Sequence, residues 1–183
     1  MKQIKGGGLK ILKAAHLAFA CMWVGGALGL MALLLAASPQ ESHEMYMRSR
    51  AVEILDDWIV IPGAMGCLLT GLIYGVWTSW GFFRHRWVAV KWMLTVTMIL
   101  VGTFLMGPWV DGNVYPVADI AKYAPDNKAF FDNVSNTLLF GYGQVFCLMA
   151  VVVVSVFRPW RTGGSPVRAS QAPERQTTTA PGR

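Results

Sequence analysis

The sequence predicts an all-α integral membrane protein, a four-helix bundle with both termini in the cytoplasm. Three observations predict it. First, the chain of 183 residues contains four stretches of about 20 residues with no formal charge: 17–37, 58–80, 92–110 and 133–157. About 20 apolar residues cross the hydrocarbon core of a bilayer. Second, the chain is 54% hydrophobic and 14% charged, where a soluble domain averages about 25% charged. A soluble fold would have to bury four helices that have no polar face. Third, lysines and arginines alternate between the connecting segments. The N-terminus carries four, the 81–91 turn three and the tail from Arg158 five, whereas each of the two other loops has two. Those two loops hold nine of the ten acids. The positive-inside rule then places both termini inside and four crossings between them. In a bacterium this is the inner membrane.

The elements follow in order. Helix 1 covers about 10–37, after a basic start of Lys2, Lys5, Lys10 and Lys13. Ser38-Pro39 ends it, because proline disfavours helix in the residue before it. A short loop of mixed charge follows. Helix 2 covers about 58–80, with Pro62 in its first turns, where a missing N–H costs least. A short turn at 81–86 leads to helix 3, about 87–106, which Gly107-Pro108 closes. A second outer loop, about 109–132, holds four aspartates and two lysines. Its middle, 117–123, has the makings of a short surface helix. Helix 4 covers about 133–157, with Asp126 as an earlier capping position. Residues 1–160 thus form the membrane domain. Residues 161–183, rich in Arg, Pro, Gly, Ser, Thr and Gln, read as a disordered cytoplasmic tail.

Several classes are excluded. The net charge of +6 does not indicate nucleic acid, because the basic residues sit at the ends of apolar blocks and form no basic domain. Cys21, Cys67 and Cys147 lie inside apolar blocks without CxxC spacing, so they make neither a disulfide framework nor a zinc site. Ala36-Ala37-Ser38 resembles a signal-cleavage site, but the apolar run before it exceeds a signal core, so helix 1 is read as retained.

Polar residues inside the spans point to an interior site. At 100° per residue, His16 shares a face with Ala20, Trp23, Ala27 and Leu30. An ionisable group facing lipid is costly, so this face turns to the bundle interior. Three other stripes mix small and polar residues at helical spacing. Helix 2 has Gly63, Cys67, Thr70 and Tyr74. Helix 3 has Lys91, Thr95, Met98, Gly102 and Trp109. Helix 4 has Asn133, Thr137, Phe140, Gln144 and Cys147. Neutral imidazole is a common axial ligand to haem iron, and lysine pairs with carboxylates. His16 is therefore a candidate ligand to haem b or a related tetrapyrrole. Lys91 is its propionate partner, and Met98 is the one internal side chain offered as a second ligand. The bland alternatives are a hydrogen-bonded interior histidine and a snorkelling lysine.

Two further readings stand beside this one. His43, Met45 and Met47 form a His-x-Met-x-Met run in the first outer loop, and thioether with imidazole suits Cu(I). A copper-handling protein is one alternative. Gly25 and Gly29 lie opposite His16 with GxxxG spacing, and Gly71 and Gly75 repeat that spacing in helix 2. A structural or assembly partner without a cofactor, forming a homodimer through the Gly25/Gly29 face, is the other.

The run His16-Leu17-Ala18 to Trp23-Val24-Gly25-Gly26 resembles the first helix of a bacterial family of integral membrane proteins of unknown function. Arg86-Trp87-Val88-Ala89-Val90-Lys91-Trp92 resembles the start of its third helix. The early histidine and the Trp-x-x-x-Lys opening are also similar to HemJ-type protoporphyrinogen oxidase and, more loosely, to the CopD copper-resistance membrane domain. The HemJ resemblance implies haem binding by His16 and Lys91. This chain departs from that pattern where HemJ-type enzymes carry a Tyr-His pair in helix 3. Here the region reads Ile99-Leu100-Val101-Gly102, so neither the oxidase activity nor bis-histidine ligation is implied. No catalytic residue is assigned.

Overall fold

The computed structural model describes residues 6–36, 39–77, 86–124 and 126–157. The tail from 158, the turn at 78–85 and the ends expected at Ala37, Ser38 and Trp80 lie outside the described residues. Among the described residues every regular element is helical: α1 (Gly7–Ala36), α2 (Ser42–Leu55), α3 (Ile61–Trp77), α4 (Arg86–Val101), α5 (Gly107–Asp111) and α6 (Lys128–Phe157). π-helical turns join α2 to α3 (Asp56–Val60) and α4 to α5 (Gly102–Met106), and a 3-10 helix covers Val117–Tyr123. Four continuous helices are long and apolar enough to cross a membrane: Gly7–Ala36, Ser42–Trp77, Val88–Asp111 and Lys128–Phe157. Backbone groups in hydrocarbon must be paired within the chain, and helices do this.

Large apolar side chains cover the outside. Phe104, Leu139, Phe146, Val156 and Phe157 are each more than two-thirds exposed. Water would penalise such a surface, but lipid does not. The buried residues instead follow the predicted interior faces: Trp23 and Leu30 on α1, Gly63, Cys67 and Thr70 on α3, Met98 on α4 and Thr137 on α6.

The structure changes three element boundaries. The first loop is largely helical, since α2 starts at Ser42 and runs unbroken into α3. At 36 residues and about 1.5 Å per residue, this helix is far longer than the hydrocarbon thickness. Its charged half, α2, projects beyond it. The Glu44 carboxylate caps its start, accepting hydrogen bonds from the backbone N–H of Gln40 at 2.8 Å and Glu41 at 3.4 Å. Gly107-Pro108 does not close helix 3, which continues to Asp111. Helix 4 starts at Lys128, and its cap is Asn127 rather than Asp126, with Asn127 Oδ1 accepting from Phe130 N–H at 3.3 Å.

Both internal prolines are accommodated in the same way. Pro62 and Pro108 each lie two residues after a π-helical turn. In these turns Ile61 N–H donates to Asp56 O, and Gly107 N–H donates to Gly102 O, five residues back. In an unbroken α-helix a proline ring strikes the carbonyl four residues earlier and leaves it without a donor. The extra residue in a π turn widens the helix at that point.

The tightest packing is between α1 and α3. A Cβ on Gly63 would lie 2.7 Å from the Trp23 backbone nitrogen, and one on Gly66 would enter the Phe19 ring. A Cβ on Gly26 would lie 2.9 Å from Val60 Cγ2. Between α1 and the α2–α3 helix the close-approach glycines are therefore Gly26, Gly63 and Gly66, not the GxxxG pairs, and Gly141 on α6 plays the same part against Met31. Gly29 faces Leu55, Gly71 has ordinary spacing, and nothing lies within 4 Å of a Cβ at Gly25.

At the α2 end of the bundle, Tyr123 is fully buried. Its hydroxyl accepts from Tyr115 N–H at 2.7 Å and lies 3.2 Å from Tyr115 O, to which it donates. Its ring meets Tyr46 and Phe130 edge-on. Burial raises its phenol above the ordinary value, so the hydroxyl stays a donor. Nearby, Asn133 Nδ2 donates to Asn113 Oδ1 and Asn113 Nδ2 to Phe130 O, both at 3.0 Å.

Gly63→Ala should lower stability by about 1–3 kcal/mol through overpacking against backbone that cannot rotate away. Gly25→Ala should leave it unchanged. Thermal unfolding of both variants in mild detergent checks this, and equal effects would contradict the close α1–α3 contact.

Candidate functional site

His16 lies on the third turn of α1, facing α3. Its Nδ1 is 2.7 Å from Thr70 Oγ1. Thr70 Oγ1 is in turn 2.6 Å from Gly66 O and 3.2 Å from Cys67 O. A hydroxyl has one proton but two acceptor lone pairs. Thr70 directs its proton back to its own helix, so its oxygen accepts from His16. The neutral ring therefore carries its proton on Nδ1 and a lone pair on Nε2. Second-shell bonds of this kind set the tautomer of ligating histidines.

The ring is held on other sides as well. Tyr74 meets it edge-on at 5.9 Å between centroids. At Gly71 the absent side chain leaves His16 Cε1 and Trp92 Cζ2 3.9 and 3.7 Å from where a Cβ would lie. Cys67 Sγ reaches the His16 carbonyl at 3.9 Å, which keeps the thiol at this level as packing. The Lys91 charge acts on both His16 and Cys67. His16, Thr70 and Tyr74 thus come from two helices to one level, and the Lys91 charge on α4 is near enough to act on it. Thr70 and Tyr74 were visible in the sequence as part of the helix 2 stripe, but their pairing with His16 was not.

Met98 does not join this group. It is buried in the layer of Trp23, Ala64, Cys67 and Leu148. Trp23 is seven residues beyond His16, about 10 Å along the helix axis. Gln144 lies further along, donating from Nε2 to Met106 Sδ at 3.1 Å.

The His43, Met45 and Met47 run is also separated. It lies on α2, where residues two apart point about 200° apart. Met45 is buried against Tyr123 and Phe130, while His43 and Met47 are exposed. The three cannot converge on one ion without unwinding the helix. Among the described residues no cluster of three His, Cys, Asp or Glu side chains could hold a metal.

Thr70→Val keeps the shape at position 70 but leaves His16 Nδ1–H without an acceptor. It should cost about 1–3 kcal/mol, and Thr70→Ser should recover most of it. Detergent unfolding curves of the two variants test this; a Val variant as stable as the parent would refute the pairing.

No curated protein and no solved structure matches the chain. A family model described as a predicted integral membrane protein (DUF2269) matches residues 10–159, which is the whole helical bundle, and the chain belongs to that family of integral membrane proteins.

Proposed function

We propose that this protein holds haem b or a related tetrapyrrole near the His16 end of the bundle, which the charge distribution assigns to the cytoplasmic side of the inner membrane. His16 is the axial ligand through Nε2 and Lys91 the propionate partner. The observation that carries the reading is the hydrogen bond that His16 Nδ1 donates to Thr70 Oγ1, which leaves the lone pair on Nε2, the nitrogen that would ligate iron. The donor set fits in two further respects. The ring orientation is fixed by Tyr74, and a cation stands nearby for a carboxylate. The similarity of His16 and Lys91 to the HemJ-type pattern points the same way. With Met98 in another layer, His16 is the one ligand this chain would offer the iron. A haem bound there supplies one-electron redox chemistry. The chain's own part is to orient the imidazole and hold the carboxylate.

Protein purified in mild detergent, alone or after adding haem, should show a Soret band. His16→Ala should abolish it, and Lys91→Gln should weaken binding about tenfold while leaving the band position unchanged. A featureless spectrum of the parent protein with added haem would overturn the reading.

A second reading, an assembly protein that pairs with its own copy, draws on the open surface at Gly25. Small residues there allow close helix approach in lipid. Gly25→Leu should then convert a detergent-solubilised dimer to a monomer in sedimentation velocity; a parent protein that is already monomeric would rule it out.

A further inference from the structure

We propose that a second site, a cavity towards the α2 end of the bundle, binds a lipophilic organic cation of the quaternary or tertiary ammonium class. The cavity is about 320 Å³, well beyond the size of a bare metal ion and within the range of small-molecule pockets, about 300–1,000 Å³.

Its interior is apolar and polarizable. Trp23, Met31, Met98 and Met106 line it. Trp23 is buried, and tryptophan is the best aromatic partner for a cation. Thioethers are soft and adapt to ligands of irregular shape. No lysine, arginine or histidine lines the cavity, so nothing there repels a positive charge.

Its acidic edge is Asp56, Asp57 and Asp111. Asp57 and Asp111 are exposed and Asp56 is half-buried. The charges of Asp57 and Asp111 act on Asp56, so the three form one electrostatic group. The ion pairs Arg50–Glu53 and Lys122–Asp119 do not engage them. Three carboxylates at the border of a low-dielectric space attract a cation far more strongly than they would in water. Charge therefore selects the sign of the ligand, and the lining selects its apolar character. The polar side chains inside are Thr103 and Gln144, and the Gln144 Nε2 is already bonded to Met106 Sδ. A strongly hydrated ion would find few replacements for its water.

The site involves neither His16 nor Lys91, so it is independent of the tetrapyrrole reading. The test uses benzyltrimethylammonium and its neutral carbon isostere, neopentylbenzene, in equilibrium dialysis against the full-length protein in nanodiscs, with empty nanodiscs as the partition control. The cation should bind saturably, at least about tenfold more tightly than the isostere. D56N/D57N/D111N should remove that preference. Ala27→Leu, which fills the lining while leaving the acids in place, should weaken both ligands. If the triple variant does not fold, the comparison of the two ligands on the parent protein decides alone. Equal binding of the two, or no saturable binding of the cation, overturns the proposal. Displacement of the cation by Ag(I) at stoichiometric concentration also overturns it, in favour of a soft-metal thioether site.

Discussion

The contact on which the rest of the bundle depends is backbone against backbone, where α3 at Gly63 meets α1 at Trp23. In lipid there is little hydrophobic drive to bring helices together, because the tails are as apolar as the side chains. Association rests on dispersion, which falls steeply with separation. Glycine at 63 and 66 lets the two axes approach, and Gly26 does the same one turn further along. This spacing brings Thr70 within hydrogen-bond reach of His16. A side chain at Gly63 would push α3 outward and break that bond, though Gly63 is two turns from Thr70. The polar pair is thus a product of the apolar packing.

The two π turns have a second consequence besides accommodating proline. Each adds a residue to its turn and so rotates everything after it relative to an ideal helix. Asp56 and Gly102 open these turns, and both line the same cavity. Proline and the widened turn together keep the helices from closing on one another at this level. The cavity is therefore bordered by both widened turns as well as by the small residues Ala27, Ala64 and Gly141.

The sequence carried the spans well and the site in part. Uncharged length marked all four crossings, and the 3.6-residue period correctly put Trp23, Thr70, Met98 and Thr137 inside. What it missed follows from two physical facts. Periodicity assigns a residue to a face but not to a neighbour at a given depth, so Met98 was offered to His16 although the helix stagger sets it in the Trp23 layer. Proline and mixed charge were read as stops, because they are costly inside an α-helix. The chain has a cheaper answer in the π turn, and α2 has water around it. For the same reason the His43–Met47 run looked compact as a loop and is split once it is a helix. The glycines misled in a related way. GxxxG drew attention to Gly25 and Gly29, but close contact depends on which face meets a partner, and here that face carries Gly26, Gly63 and Gly66.

The two polar groupings are separated by a closed layer. Trp23, Ala64, Met98 and Leu148 are all buried in it. A proton or ion moving from the acidic edge to His16 would have to cross that layer without replacement for its hydration, at a cost of several kcal/mol. Any coupling between them has to pass through movement of α3, since Asp56 is joined to Thr70 by one continuous helix whose weakest point is the π turn before Pro62. The close contact at Gly63 leaves little room for α3 to shift along α1 without disturbing the bond that His16 donates to Thr70.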